Sequence, residues 1–266
     1  MEFSIVVPVC NEAGNVLPLL REIHSAAVDC GTFEVVYVDD GSSDATADEL
    51  QQARDRYPGL RVLRHRQCCG QSSALLTGIG AARSPLIVTL DGDGQNDPAD
   101  VPLLLQRYRA AQQDSQPLML IGYRTRRRDS RWRHWSSRVA NGVRSRLLRD
   151  ATPDSGCGLK LFPRDLFLAL PAFDHMHRFL PALMLRAGAR VESIPVHHRQ
   201  RQRGRSKYGL HNRLWAGLVD MAGVMWLQRR KLGEGVASAG ALARLADSLG
   251  VYWLKRRPCN SLVEEL

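Results

Sequence analysis

Asp91-Gly92-Asp93, with Gln95 next in step, sets oxygen-bearing side chains at alternate positions of one short segment. Carboxylates at i and i+2 of an extended chain project to the same side, so both can grip one ion. Donors that are all oxygen favour a hard cation, Mg2+ or Mn2+, and Gln95 can add a carbonyl oxygen. So few protein oxygens leave coordination positions for water and for substrate phosphates. The chemistry this spacing predicts is metal-assisted handling of a diphosphate, the cation neutralising charge on a departing group.

Other acids fall at comparable places. Glu12 follows the apolar, β-branched run Ser4–Val9, and Asp39-Asp40-Gly41-Ser42-Ser43-Asp44 ends the run Phe33–Val38. Leu86–Leu90 is a third such run, stopping at Asp91, and Leu118–Ile121 reads as a fourth strand. Continuous apolar runs of this length suit strands buried on both faces of a parallel sheet. Between them lie helical patterns. Asn11 is expected to cap a helix bearing Val16, Leu19, Leu20, Ile23 and Ala27 on one side; Asp44 is expected to cap the next, and Asp97-Pro98 to open another. Strands alternating with helices mean right-handed βαβ units and an open, mostly parallel α/β sheet flanked by helices. Ligands of such sheets sit beyond the carboxyl ends of the strands. One acidic strand end is ordinary turn chemistry; three converging on one sheet edge point to a site.

Composition narrows the class. The chain has 266 residues, enough for one large domain or one domain with a short appendage, and its 44% hydrophobic and 24% charged content is that of a folded protein. Lys+Arg 37 against Asp+Glu 27 leaves a net charge of +10, which predicts an anionic partner or surface. The six cysteines include no Cys-x-x-Cys, so neither a zinc site nor a disulfide framework is expected. Met1–Ile5 lacks the basic and apolar regions of a signal peptide, and no window reaches the roughly 18 apolar residues of a membrane span. The expected location is cytoplasmic. No Gly-x-x-x-x-Gly-Lys-[Ser/Thr] is present, which excludes a P-loop, and Gly78-Ile-Gly80 follows an apolar stretch and not a strand-to-helix turn.

The ordered set Ser-Ile-Val-Val-Pro-Val-Cys-Asn-Glu, Val-Asp-Asp-Gly-Ser-Ser-Asp, Gly70-Gln71 and Leu-Asp-Gly-Asp-Gly-Gln-Asn-Asp-Pro resembles the family 2 glycosyltransferases of GT-A fold. Within them it is most similar to dolichyl-phosphate mannosyltransferase and bacterial polyprenyl-phosphate glycosyltransferases. The likeness continues through Asp154-Ser-Gly-Cys-Gly-Leu-Lys160, His177-Arg178-Phe179 and Arg201–Tyr208, and so spans roughly residues 3 to 225. It implies a GT-A domain over 1–210 with a C-terminal helical extension over 211–266. It also implies roles. Pro8, Glu12 and Asp39 would hold the nucleoside of a nucleotide-sugar donor, with Asp40 supporting that pocket and Gln71 beside the diphosphate. Asp91, Asp93 and Gln95 would bind Mg2+ or Mn2+, and Arg201 and Lys207 would close over the diphosphate. Cys10 departs from the family's usual aromatic, and Cys68-Cys69 from a usual polar residue; these leave the metal ligands intact but blur the donor base.

Arginine dominates from Arg124 to Arg149, and on a helix Trp132, Trp135, Val139, Val143 and Leu147 share one face with Arg131, Arg138 and Arg149 along its border. Such a helix is either packed on the sheet with a solvated edge or laid at an anionic membrane surface, tryptophans at headgroup depth. The arginine fork suits phosphate. With the family likeness, Arg124, Ser137 and Arg138 become candidates for a lipid-phosphate acceptor site, Arg138 the one assigned to catalysis. A second basic cluster, Arg199 to Arg213, is broken by Gly204 and Ser206 and reads as a loop able to fold over an anion. His177 and His198 read as structural.

A phosphate nucleophile is already anionic, so single displacement with inversion needs no strong general base, and Asp91 and Asp93 are not a glycosidase acid–base pair. Leu214–Leu227 is about 21 Å long as a helix, short of a membrane core and interrupted by Asp220; an interfacial anchor peripheral to the membrane and a buried helix both remain open. For the rest of the tail, a membrane-protein partner and a homo-oligomer contact are open. A saccharide or protein acceptor is the alternative transferase reading. A non-enzymatic basic module binding lipid or nucleic acid leaves Asp39, Asp91 and Asp93 unexplained, and no nucleic-acid partner is expected.

Overall fold

The computed structural model describes residues 1–111, 115–124, 142, 144–200, 210–230 and 263–265. Strands β1 (Phe3–Val9), β2 (Phe33–Asp39), β3 (Leu60–His65), β4 (Leu86–Thr89), β5 (Leu118–Arg124), β6 (Lys160–Pro163), β7 (Arg190–Val196) and β8 (Val263–Glu265) form one sheet in the order β7-β5-β6-β4-β1-β2-β3-β8. β1 pairs in parallel with β2 and β4, β2 with β3, and β5 with β7. β6 runs antiparallel between β4 and β5, and β8 antiparallel on β3. The expected open, mostly parallel α/β sheet is the one observed.

The apolar runs are continuous because helices cover both faces. Phe3, Ile5, Val7 and Val9 of β1 enter one core with Val16, Leu19, Leu20 and Ile23 of helix α1 (Val16–Ala27). Val6 points the other way, into a core with Val36 and Val38 of β2 and Ala74, Leu75 and Ile79 of helix α3 (Gln71–Ala81). Helix α2 (Thr46–Arg56) joins the α1-side core through Leu50 and Ala53, and helix α4 (Val101–Ala110) follows a 3-10 turn over Pro98–Asp100 in which Asp97 caps the Ala99 N–H at 3.0 Å. Asp44 likewise accepts from the Thr46 N–H at 3.0 Å at the start of α2.

One sequence expectation gives way here. Asn11 does not cap α1, which starts at Val16 after Asn15; Asn11 has φ 53 and its side chain accepts from the Ser43 N–H at 2.7 Å, tying the β1 end to the β2 loop. Gly78-Ile-Gly80 lies inside α3, in line with the sequence reading that it is no phosphate loop. A Cβ at Gly78 would meet Val6 Cγ1 at 2.6 Å and Val38 Cγ2 at 2.8 Å, so glycine there lets the helix lie on the sheet, whereas Gly80 faces open space.

Further helices are α5 (Arg164–Leu168), α6 (Leu180–Arg186) and α7 (Leu210–Arg229). α7 contains the expected Leu214–Leu227 helix. Val224 is buried, Met221 and Met225 lean on the α3-side core, and Arg186 Nε donates to the Leu227 carbonyl at 2.8 Å. Among the described residues no helix is long and apolar enough to cross a membrane.

The packing of α3 predicts a split between its two glycines. Gly78→Ala should lower the unfolding free energy by about 1–3 kcal/mol through overpacking. Gly80→Ala should raise it by up to about 1 kcal/mol, both read by urea denaturation.

Candidate active site

Asp91 follows β4 at the carboxyl edge of the sheet, where a turn, and not the extended segment expected, carries Asp91-Gly92-Asp93. The turn is dictated locally. A Cβ at Gly92 would meet Val9 Cγ1 at 2.3 Å and the Pro8 carbonyl at 3.0 Å, so the chain presses on the end of β1; Gly94 then takes φ 72. The Asp91 N–H donates to Asn96 Oδ1 at 3.1 Å and the Gln95 N–H to Asp93 Oδ1 at 3.0 Å, which closes the loop on itself. A Cβ at Gly158 would lie 2.2 Å from Asp91 Oδ2, so glycine leaves the cradle that the carboxylate fills. Gln71, the first residue of α3, donates from Nε2 to Asp91 Oδ1 at 2.9 Å.

Burial, then the neighbouring negative charge of Asp93, pushes Asp91 up to about 6, against the opposing pull of Lys160, Gln71 and Arg124. A divalent cation would relieve that crowding, and the all-oxygen donors of Asp91, Asp93 and Gln95 are of the type that suits Mg2+ or Mn2+. Lys160 had no role from sequence, although it closes the quoted Asp154–Lys160 motif. It opens β6, donates to the Cys157 carbonyl, and is buried; burial lowers its pKa while Asp91 pulls it back up. Arg124, at the end of β5, is clasped by Asp154 through Nε at 2.5 Å and Nη2 at 2.8 Å. Burial alone would lower the Arg124 pKa, but the Asp154 pair, with Asp91 among the smaller contributors, raises it. Three carboxylates, Asp91, Asp93 and Asp154, and two cations, Lys160 and Arg124, thus share the edge of β4, β5 and β6. No local pattern marks Lys160, because the contact exists only once antiparallel β6 is inserted between β4 and β5.

Glu12 and Asp39 lie on the neighbouring β1 and β2 ends. Asn15 Nδ2 donates to Glu12 Oε2 at 2.8 Å, and the Glu12 N–H donates to Thr46 Oγ1 at 2.9 Å. Asp39 is fully buried; its Oδ1 accepts from the Ser42 N–H at 2.9 Å. Its Oδ2 has Arg64 Nε at 3.2 Å as an ion pair but accepts no well-aligned hydrogen bond from the described residues. Burial of Asp40 works to raise its pKa, yet bonds from His65, Cys69, Cys68 and Gly70 outweigh it and hold the carboxyl below the usual range.

Of the two basic clusters, Arg199 is committed to a strut. Nη2 meets Asp97 Oδ1 at 2.5 Å, Nη1 meets Glu22 Oε2 at 2.5 Å, and its N–H donates to the Gln95 carbonyl at 2.9 Å. Residues 198 and 199 are therefore laced to the Asp91–Asp97 loop, while His197 is held by Asp100. Arg144 pairs with Asp150 and donates to the Thr152 carbonyl at 2.8 Å. Ser137, Arg138, Arg201 and Lys207 lie outside the described residues. His177 is structural as read: Nδ1 bonds Ser72 Oγ at 2.8 Å, and burial, then the Lys160 charge, lowers it to about 3.

Asp93→Ala should weaken Mn2+ binding, measured calorimetrically, by more than about 100-fold without loss of fold. Gln71→Ala, which removes only a supporting contact, should cost about 10–100-fold. A cation seated on these carboxylates would have to displace the Asp91 proton, so Mn2+ affinity should fall as pH drops below about 6 and level off above it. In the metal-free protein the sign reverses: a raised carboxyl contributes stability below its ordinary 3.8 and has lost it once pH passes about 6, which pH-dependent urea unfolding without metal checks.

Comparison with known proteins gives the family. Residues 4–170 match the family profile of glycosyl transferase family 2. The chain is 35% identical to dodecaprenyl-phosphate galacturonate synthase of Rhizobium johnstonii, over 88% of this chain and 70% of the relative. It is 36% identical to undecaprenyl-phosphate 4-deoxy-4-formamido-L-arabinose transferase of Pseudomonas aeruginosa, over 91% of this chain and 71% of the relative. Among solved structures it resembles Mycobacterium tuberculosis glucosyl-3-phosphoglycerate synthase, crystallised with Mn2+, UDP and phosphoglyceric acid. There the TM-score is 0.60 at 18% identity, covering 88% of this chain and 81% of that one. S. aureus TarS (TM-score 0.58, 16% identity, 97% of this chain and 74% of that one) shares the fold too. With an acidic turn, a buried carboxylate at each neighbouring strand end and these relatives, the chain belongs to glycosyl transferase family 2.

Proposed function

We propose that this transferase moves a sugar from a GDP- or UDP-sugar to a polyprenyl or dolichyl phosphate at a membrane surface, with inversion at the anomeric carbon. The reading is carried by Asp91: a carboxylate seated on Gly158, held by Gln71 and crowded by Asp93, beside two paired or buried cations. Asp91, Asp93 and Gln95 would hold Mg2+ or Mn2+, which when bound supplies charge neutralisation on the leaving nucleoside diphosphate. Asp39 Oδ2, buried and short of a hydrogen bond, supports a nucleoside pocket formed with Pro8 and Glu12, and Asp40 stiffens its floor. Arg201 and Lys207 close over the diphosphate from the segment that leaves the Arg199 strut.

On the acceptor side, Arg124, Ser137 and Arg138 orient the lipid phosphate. Its anionic oxygen attacks as the bond to the nucleoside diphosphate breaks, so orientation and electrostatics carry the rate and no proton need be removed first. The two polyprenyl-phosphate relatives support this acceptor class. Helix α7 supports the membrane surface: Val219 and Trp226 are 66% and 59% exposed, and Arg230 stacks 5.9 Å from the Trp226 ring beside Arg229.

Purified protein with Mn2+, a labelled GDP- or UDP-sugar and short-chain polyprenyl phosphate should yield an organic-extractable, acid-labile product. Label confined to a water-soluble saccharide would overturn the acceptor assignment. Arg138→Ala should raise the KM for lipid phosphate about 10-fold or more, the scale of a lost charge-assisted bond, with the donor KM little changed; an unaltered acceptor KM would remove Arg138 from the site.

A further inference from the structure

Three cysteines that the family resemblance does not use gather around one carboxylate. Asp40, at the end of β2, accepts at Oδ1 from the His65 ring at 2.7 Å and from the Cys69 N–H at 2.8 Å. At Oδ2 it accepts from the Gly70 N–H at 2.8 Å and from the Cys68 thiol at 3.3 Å. Cys10, just past β1, completes the cluster: its Sγ, the Cys68 Sγ and an Asp40 oxygen all lie within 4.8 Å of one another. We propose that Cys10, Cys68 and Asp40 form a second metal site, for a thiophilic divalent cation such as Zn2+.

The geometry fits. Zinc–sulfur and zinc–oxygen bonds of about 2.3 and 2.0 Å at a tetrahedral angle put sulfur and oxygen roughly 3.5 Å apart, and the Cys68–Asp40 separation is 3.3 Å. The thiol proton therefore stands where the metal would stand. Binding breaks two S–H bonds, releases both protons to solvent and forms two metal–sulfur bonds, with no electrons transferred. Asp40 is already aimed. His65 grips its far oxygen and is itself fixed by Thr77 Oγ1 at 2.9 Å, the type of outer contact that orients a ligating carboxylate. Cys68 is exposed, so the site has an entry path and an open fourth position. The ligand types separate this site from the all-oxygen turn at Asp91, since thiolates select soft and borderline metals. Cys69 also brings its Sγ within 4.8 Å of Asp40 and a His65 nitrogen, but His65 spends its two ring nitrogens on Asp40 and Thr77, so the Cys10–Cys68–Asp40 set is the one assigned. The cation would staple the β1 end, the β2 end and the loop that delivers Gln71 to Asp91. This inference stands without the assignment of donor or acceptor.

The full chain, reduced and stripped of metal, is titrated with Co2+ in reducing, oxygen-free buffer. The expected result is a near-ultraviolet thiolate-to-cobalt charge-transfer band that saturates at one ion per chain and bleaches when Zn2+ is added. Cys10→Ser and Cys68→Ser should each lose most of the band, and the double variant all of it. Cys69→Ser and Asp93→Ala should keep it. Matching circular-dichroism melts for the variants exclude misfolding as the cause of a loss. The proposal fails if no band forms at one equivalent, if it survives in the Cys10→Ser/Cys68→Ser protein, or if Cys69→Ser removes it while Cys10→Ser does not.

Discussion

Burial of the Asp91 carboxylate beside the negative charge of Asp93, at the rim of a mostly parallel sheet, is the constraint on which the rest of the site depends. Water would screen that charge. Instead Asp91 sits on Gly158 with its hydration largely removed, and the cost appears as a carboxyl pushed up to about 6. Everything within reach offsets that charge: the Gln71 amide from the start of α3, Lys160 from the start of β6 and Arg124 from the end of β5. Each comes from a different element, so the site exists only when the sheet is assembled. The charge balance is also provisional by construction, because a divalent cation can take over what Lys160 and Arg124 supply at a distance.

The sheet accounts for where this happens. β4 and β1 run in parallel, and Gly92 lets the acidic turn pack on Val9 and the Pro8 carbonyl, so the ends of the two strands are joined at backbone contact distance. β2 lies on the other side of β1 and brings buried Asp39 and Asp40 to the same edge. Beyond β4, antiparallel β6 reverses the chain so that its first residue, Lys160, arrives beside a strand's last. The Arg199 strut then fastens the start of the second basic segment to the acidic loop through Asp97 and Glu22.

Much of this was legible from residue order. Runs such as Ile5–Val9 and Val35–Val38 announce strands covered on both faces, and acids at their carboxyl ends announce the site edge, since the parallel βαβ rule fixes which edge that is. Contacts between distant segments were not legible. Asn11 reads as a helix cap by local preference, yet the loop after β2 competes for its side chain and wins. Arg199 reads as one more cation in an anion-binding run; only the fold shows it spent on Asp97 and Glu22. Lys160 carries no periodic or spacing signal, and β6 is too short and too late in the chain to be recognised as an insertion between β4 and β5. Gly78 and Gly80 look alike in sequence and differ only in what a methyl group would meet.

The most direct test of the central claim is an anomalous difference map at the manganese edge from crystals grown with Mn2+ and a nucleoside diphosphate. The account predicts a peak coordinated by Asp91 and Asp93, with the diphosphate oxygens completing the shell. Density for the nucleotide with no manganese at those carboxylates, or with the two side chains turned away from each other, would contradict it.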